Sequence, residues 1–381
     1  MKPAIRILVF SECRNIFARI QVDNKNYAGV AVPIEGKCPW QWAKACQWNS
    51  FLLTAKLLEQ PSKDFIKISE GNRIVGVSLQ KMAIERIGLQ ICVPPLYWYS
   101  DYIALIQFIE IWTSQGASKF YIYYQSISRT VLNVLNEYQK RNLVELIKWR
   151  LLPKLKVDPN KSLYRLGHSL AHNDCLHRSN GQYLALVDVD EFIISNRQII
   201  KFSSATILAF LVKAADKYPA AGSFVFAHTR LRFSTGRPAN IDRWSDLTFH
   251  WLGHTEVQFG YGPTKTIFMP ERTEIVLTHR VLKHLEPFSQ IMVNESEARL
   301  FHVRRSWNVK IDKNVFSTII LFRPETLTKI RLRFNDMVKR FEEWKDKGCK
   351  TPYHSCLNLL IDKEDWIISD DNLIQASYIV L

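Results

Sequence analysis

Short apolar runs separated by turn residues fill the first 88 positions of this 381-residue chain. The runs YAGVAVPI (27–34) and RIVGVSL (73–79) show the alternation of apolar and polar positions that is typical of β-strands. No linker rich in Gly, Ser or Pro follows them. The pattern therefore predicts a strand-rich amino-terminal region, residues 1–88, packed on a larger domain that spans residues 89–381.

From residue 89 onward, the pattern changes to strands that alternate with helices. Apolar and β-branched runs predict strands at 89–96, 119–126, 144–151 and 183–194, and helical spacing predicts helices at 101–115, 131–141 and 166–180. Further along, we expect a helix at 203–218, strands of a mixed sheet at 223–233, 262–269 and 274–282, and a charged amphipathic helix at 325–347. Alternating strands and helices with short connections are typical of a Rossmann-like α/β fold.

The strand predicted at 183–194 runs directly into the carboxylates of Asp188, Asp190 and Glu191. In an open α/β sheet, ligands bind outside the carboxyl ends of the strands. Residues two apart on a strand point to the same side, so we expect Asp188 and Asp190 to approach one cation. Oxygen ligands favour Mg²⁺ or Mn²⁺ over zinc. The alternative is a solvated acidic loop, because D-x-D strings are common.

The net charge of +15 indicates an anionic partner: a nucleic acid, an anionic membrane face or a phosphate-bearing substrate. The basic residues are spread along the chain without a basic tail, and RNA-binding aromatic signatures are absent. We therefore expect no nucleic-acid partner. No run of about 20 apolar residues or signal-peptide cleavage pattern occurs at the start, so we expect a soluble protein or one lacking an anchor that its relatives carry.

Seven cysteines include two pairs that are close in sequence, Cys38 with Cys46 and Cys349 with Cys356. None has the C-x-x-C spacing of a zinc site, so disulfides in an oxidising compartment are the better interpretation. Two glycosylation sequons, at Asn160 and Asn294, are compatible with a lumenal location.

Much of residues 90 to 306 resembles glycosyltransferase family 92, formerly domain of unknown function 23. The resemblance is carried by an ordered series of segments: ICVPPLYWYSDYIALIQFIEIWTSQGASKFYIYYQ, VLNVLNEYQKRNLVELIKW, AHNDCLHRSNGQYLALVDVDEFI, KTIFMPERTEIVLTH and LFHVRR. Upstream, GKCPWQWAKAC is similar to the cysteine-containing amino-terminal region of that family.

This resemblance implies a GT-A (Rossmann-like) fold with a mixed central sheet and a divalent cation, Mn²⁺ or Mg²⁺, with Mn²⁺ preferred. It implies inverting transfer of a hexose, galactose from the donor UDP-galactose, to a glycan or glycoprotein acceptor. It also implies a Golgi location and membrane association through a single-pass type II topology.

The resemblance assigns metal ligation to Asp188 and Asp190, with Glu191 as a supporting acid. His302, in FHVRR, is expected to supply a third contact to the metal or diphosphate, and Arg304 to contact the donor. Relatives have a His-Tyr-Arg sequence at this point, where this chain has Val303 in place of the tyrosine. His279 is the competing ligand, and for either histidine alone a structural role is the default.

Several residues are expected to contact the donor, each with a structural alternative. Lys265 can reach the diphosphate as a point charge, or it is an exposed lysine at the start of a strand. The segment Pro94 to Tyr97 lies where a GT-A fold places uridine, or it is a packed turn. Asn173 and Asp174 can orient the ribose or the donor sugar, or they stabilise the helix.

Inversion needs a carboxylate that deprotonates the acceptor hydroxyl. The candidates are Asp242, Asp246, Glu256 and Glu271, and each has a solvated surface acid as its alternative. We favour Glu256 as the catalytic base because GHTEVQFGYG is a Gly- and aromatic-rich loop of the kind that lines a sugar pocket. A catalytically inactive glycan-binding relative is the competing function, and a basic nucleic-acid-binding protein is the third.

Overall fold

The computed structural model describes residues 3–38, 40–41, 43–81, 83, 85–195, 206–232, 255–259, 262–303, 317–319, 321–340 and 365–369. Within these residues, none of the helices combines the length and the apolar character that a membrane crossing requires.

The first six strands form one antiparallel sheet. They are β1 (Ala4–Glu12), β2 (Phe17–Val22), β3 (Lys25–Pro33), β4 (Trp48–Lys56), β5 (Phe65–Glu70) and β6 (Arg73–Ser78), in the order β1-β4-β3-β2-β5-β6. Alternate residues of β2 (Ala18, Ile20 and Val22) are buried in a cluster with residues such as Leu53 and Ile66. The alternation of apolar and polar residues in the sequence thus gives β2 one buried and one more exposed face.

This sheet packs against the remainder of the chain through a small apolar cluster. Ile34 and Leu52 of the amino-terminal region are buried against Leu170 and Ile275. The sheet thereby packs against the segment that carries Leu170. This segment precedes the acidic residues 188–191 in the chain.

A seven-stranded sheet forms the centre of the larger part. Its strands are β7 (Leu89–Leu96), β8 (Ala117–Tyr124), β10 (Val144–Lys148), β11 (Tyr183–Leu186), β13 (Ala221–Phe226), β16 (Lys265–Phe268) and β19 (Ser289–Met292). In the order β10-β8-β7-β11-β16-β13-β19, the first four strands are parallel and β16 is antiparallel to both its neighbours. The expected α/β, Rossmann-like fold with a mixed central sheet is confirmed.

Six α-helices lie in the described part of the chain. They are α1 (Tyr102–Ser114), α2 (Arg129–Lys140), α3 (Pro159–Ser162), α4 (His168–Arg178), α5 (Ile207–Lys217) and α6 (Pro324–Lys339). Asp101 caps α1 by accepting a hydrogen bond from the Ala104 amide at 2.9 Å. The buried carboxylate of Glu110 on α1 accepts hydrogen bonds from Tyr138 of α2 and Arg333 of α6, so these three helices share one satisfied polar contact.

A second sheet of five strands lies beside the first. It contains β12 (Glu191–Ser195), β14 (His228–Arg232), β15 (Thr255–Phe259), β20 (Ala298–His302) and β21 (Ser317–Ile319), in the order β12-β20-β14-β15-β21. Two small pairs complete the strands: β17 (Thr273–Val276) with β18 (Val281–His284), and β9 (Ser126–Ser128) with β22 (Trp366–Ile368).

Three sequence predictions of single strands are therefore wrong. The segments 183–194 and 223–233 each divide into two strands because the chain leaves the seven-stranded sheet and enters the five-stranded one. The segment 274–282 contains the turn between β17 and β18, which pair with each other outside the large sheets.

The disulfides also differ from the expected pairs. Cys13 bonds to Cys38 and Cys92 bonds to Cys175, while Cys46 is a free thiol. The expected pairing of Cys38 with Cys46 is wrong because folding brings Cys38 to a cysteine at the end of β1, 25 positions away in sequence. Cys349 and Cys356 lie outside the described residues. The Cys92–Cys175 bond joins β7 to α4.

Candidate functional site

The acidic residues lie in a turn where the chain passes from β11 to β12. The amide of Asp188 donates to the carboxylate of Glu191 at 2.8 Å, and the amide of Glu191 donates back to the carbonyl of Asp188 at 3.0 Å. The indole of Trp112, on α1, donates to the carbonyl of Glu191 at 3.1 Å. These contacts fix the turn, so Asp188 and Asp190 lie on a turn and not on one face of a strand as expected.

Lys265, the first residue of β16, lies between two of the carboxylates. Its ammonium is 3.1 Å from Asp188 and 2.8 Å from Glu191, and both Lys265 and Glu191 are buried. Burial raises the pKa of Glu191, whereas the nearby ammonium of Lys265 overcomes the effect of burial and lowers the pKa of Asp188. The alternative of an exposed lysine is wrong for Lys265, since only 1% of its surface is accessible.

Asp190 faces the other way, toward the five-stranded sheet. Its carboxylate is 3.2 Å from Nε2 of His302, the last residue of β20. Nδ1 of His302 is 3.3 Å from Nε2 of His228, the first residue of β14. The amide of Val303 donates to the carbonyl of Asp190 at 2.8 Å, and its side chain is buried in the core. Valine at this position therefore packs within the core beside the acidic turn.

Three further histidines surround the Asp188 side of the turn. His168 and His172 lie one turn apart on α4, and His279 follows β17. Each interacts electrostatically with Asp188 and Lys265, and burial lowers the pKa of each, that of His172 to about 3. These imidazoles are therefore neutral near pH 7.

The tautomer of His279 follows from its partner. Its Nδ1 is 3.0 Å from the carbonyl of Thr264, which can only accept, so Nδ1 carries the hydrogen and Nε2 is an acceptor. His279 thus remains on the Asp188 side, whereas His302 is the histidine that contacts Asp190.

The segment at the end of β7 lies beside the start of α4. The ring of Tyr97 stacks on that of His168 with centroids 5.9 Å apart, and its hydroxyl donates to the carbonyl of Leu166 at 3.1 Å. Pro94 is buried within β7, which continues through both prolines instead of ending before them. Of these residues, Tyr97 is the one that combines partial exposure with a position near the histidines.

Asn173 and Asp174 have structural partners. The amide of Asn173 donates to the carbonyls of Ser169 and Val276 and accepts from the amide of Val276, which ties α4 to β17. Asp174 accepts hydrogen bonds from Tyr123 and Arg178. These contacts favour the helix-stabilising alternative for both residues.

Arg304, Asp242 and Asp246 lie outside the described residues. The backbone of Glu256 belongs to β15, but its side chain lies outside the described part. Glu271 lies exposed in a 3₁₀ turn, 3.6 Å from Arg272.

A divalent cation fits one part of this arrangement. Among the described residues, no three His, Cys, Asp or Glu side chains form a group that could hold a metal ion by themselves. Asp190 and His302, however, bring one carboxylate and one imidazole together at 3.2 Å. Such a pair suits Mn²⁺ or Mg²⁺ when substrate phosphates and water supply the other ligands.

Sequence reasoning missed His168, His172 and His228. The spacing of four between His168 and His172, on the helix that precedes the acidic turn, is a signal that would have found the first two. His228 has no local signal, because it contacts His302 across 74 positions of sequence.

Comparisons with solved structures give distant likenesses. The chain is 10% identical to S. aureus TarS (residues 1–349), with 72% of this chain and 78% of that chain covered and a TM-score of 0.27. It is 11% identical to the mannosyltransferase PcManGT from Pyrobaculum calidifontis, in complex with GDP-Man and Mn²⁺, with coverages of 74% and 80% and a TM-score of 0.31. No curated protein gives a significant match.

The family comparison is more specific. The model of glycosyltransferase family 92 matches residues 87–338, which include the central sheet, the acidic turn, Lys265 and His302. This match extends over more than half of the chain. The chain therefore belongs to glycosyltransferase family 92.

Proposed function

We propose that this chain is a metal-dependent glycosyltransferase that moves a hexose, galactose from UDP-galactose, to a glycan acceptor with inversion. The observation that carries the proposal is the contact of Asp190 with His302 beside the cluster of Asp188, Lys265 and Glu191. The site lies at the carboxyl end of the parallel strand β11, where ligands bind in open α/β sheets.

Asp190 and His302 are the residues that would hold the cation, with Asp188 at its edge. Asp188 keeps 45% of its side chain accessible although Lys265 contacts one of its oxygens, so it can still face a ligand. A cation bound there supplies positive charge for the diphosphate leaving group. Lys265 does not extend into solvent, and its function is to keep Asp188 ionised.

The donor would lie against the amino-terminal end of α4. The backbone amides of the first turn of a helix favour an anion, and α4 begins at His168 beside the acidic turn. The neutral imidazoles of His168 and His172 each carry one N–H group that can be donated to a diphosphate. Tyr97, stacked on His168, then provides an aromatic surface for the uracil ring.

Glu256 remains our proposed base for the acceptor hydroxyl. It lies on β15 of the same five-stranded sheet that carries His302. Glu271 is a poorer candidate because it lies exposed beside Arg272.

We also propose a Golgi location. The disulfides Cys13–Cys38 and Cys92–Cys175 are typical of proteins that fold in an oxidising compartment. Co-localisation of the full chain with a Golgi marker tests this, and a nuclear signal would contradict it.

Thermal unfolding with UDP and Mn²⁺, added singly and together, tests the donor site. We expect a rise in Tm only with both ligands, since a ligand at about 100 times its Kd stabilises a protein by about 2.7 kcal/mol. Turnover of UDP-galactose on a glycan array, with other UDP-sugars as controls, tests the donor sugar. An absence of any UDP-dependent shift with every divalent metal tried would replace this proposal with that of an inactive glycan-binding relative.

A further inference from the structure

His228 lies behind His302, on the side away from Asp190. Its side chain is 6% exposed, and its Nε2 is 3.3 Å from Nδ1 of His302, whose other nitrogen is 3.2 Å from Asp190. The two rings meet edge to face at 80°, with centroids 5.5 Å apart. Asp190, His302 and His228 therefore form one chain of polar contacts.

The ring of His228 is confined by a close backbone approach. A Cβ atom added to Gly262 would lie 2.5 Å from both Cγ and Nδ1 of that ring. Real Cβ atoms do not approach ring atoms so closely, so a side chain at position 262 would displace the imidazole. Glycine at this position is what allows the ring to occupy its place beside His302.

We infer that His228 is a positioning residue that holds the imidazole of His302 so that Nε2 faces the cation beside Asp190. The inference rests on the proposed function, because it concerns the same cation. An imidazole binds a cation through a nitrogen that carries no hydrogen, so Nδ1 of His302 must then carry it. Nε2 of His228 is placed to accept that hydrogen, and such outer contacts fix the orientation of metal-binding histidines.

The chain contains a matched control where β18 packs against β13 of the seven-stranded sheet. Nε2 of His284 is 2.9 Å from the hydroxyl of Ser223, and a Cβ atom added to Gly222 would lie 2.4 Å from the His284 ring. This pair repeats the combination of a hydrogen-bonded histidine and a closely packed glycine. The hydrogen-bond partner of His284 is Ser223 on β13, which is not a residue of the acidic turn.

The test measures Mn²⁺ affinity in the presence of UDP, from the electron paramagnetic resonance signal of free Mn²⁺, on the full chain. His228→Ala should weaken Mn²⁺ binding by about 10- to 100-fold. His228→Gln should recover part of this loss because its amide oxygen can accept the same hydrogen. Gly262→Ala should also weaken binding, because the added Cβ atom displaces the His228 ring while residue 228 itself is unchanged.

His284→Ala and Gly222→Ala should bind Mn²⁺ as the unchanged protein does, even where thermal unfolding shows them to be less stable. The inference is overturned if His228→Ala binds Mn²⁺ with unchanged affinity. It is also overturned if the His284 variants lose affinity equally, because the effect is then one of general stability. Failure of the unchanged protein to bind Mn²⁺ with UDP is a different result, which removes the proposed metal dependence itself.

Discussion

The two aspartates of the acidic turn are two residues apart and almost equally accessible, with 45% of the Asp188 side chain and 43% of the Asp190 side chain exposed. Asp188 faces the ammonium of Lys265, a fixed positive charge that is itself buried. Asp190 faces the imidazole of His302, which is a potential metal ligand. We propose a division of functions: Asp188 already has its counter-ion within the fold, whereas Asp190 would be the carboxylate that binds an additional cation.

Exchange of each aspartate tests this division most directly. Asp190→Asn should abolish the Mn²⁺-dependent stabilisation by UDP and reduce turnover by at least about 100-fold, since it removes a charge from the cation site. Asp188→Asn should retain measurable Mn²⁺ binding but weaken it. Thermal unfolding with UDP and Mn²⁺, together with turnover, measures both effects. Equal losses in the two variants would contradict the division.

Removal of the internal counter-ion should reduce stability more than any single surface change. Lys265→Met leaves the buried carboxylate of Glu191 without its cation, and loss of one partner from a buried ion pair costs about 3 to 5 kcal/mol. Urea unfolding measures the change in the free energy of unfolding. The double variant Lys265→Met with Glu191→Gln should recover part of the loss because it removes the unpaired charge.

A surface pair provides the control for this experiment. Lys283 lies 2.9 Å from Glu274, but its side chain is 60% exposed. Lys283→Met should therefore change stability by about 1 kcal/mol or less. If both lysine variants had the same small effect, Lys265 would not be a buried counter-ion.

Elements with a strong local pattern were predictable from the sequence. The predicted helix at 101–115 matches α1 within one residue at each end, because apolar spacing and the cap at Asp101 are both local signals. The breaks after β11 and β13 were not predictable, since the chain changes sheets there without a Gly or Pro between the two strands. The division into an amino-terminal region, residues 1–88, packed on a larger domain, residues 89–381, stays a prediction.

The candidate site also has features that the sequence predicted and features that it did not. Asp188 and Asp190 could be predicted because they lie two residues apart at the end of an apolar run, and the family motifs pointed to His302. Their contacts could not be found. The pairing of Asp188 with Lys265 spans 77 positions and depends on β16 lying next to β11. That neighbour relationship is a property of the sheet order, which local periodicity does not encode.

The buried His172, on the Asp188 side of the turn, should make the free energy of unfolding depend on pH. Burial, aided by the nearby charges of Lys265 and His168, lowers the pKa of His172 to about 3 from the ordinary 6.5. Between these values the unfolded chain binds a proton that the folded chain does not. The contribution of His172 to stability is thus complete above pH 6.5 and decreases as the pH falls, by up to about 1.4 kcal/mol per pH unit.

His172→Leu should therefore flatten the fall in the free energy of unfolding between about pH 6.5 and about pH 5, measured by urea unfolding. His177→Leu is the matched control, since burial lowers the pKa of His177 to about 4 at the opposite end of α4. Both variants should flatten the stability curve. Only His172→Leu should also weaken UDP binding, because His172 interacts with Asp188 and Lys265, whereas the charges near His177 are those of Arg6, Asp174, Arg86 and Glu274. An unchanged UDP affinity in His172→Leu would separate this histidine from the donor site and confine its effect to stability.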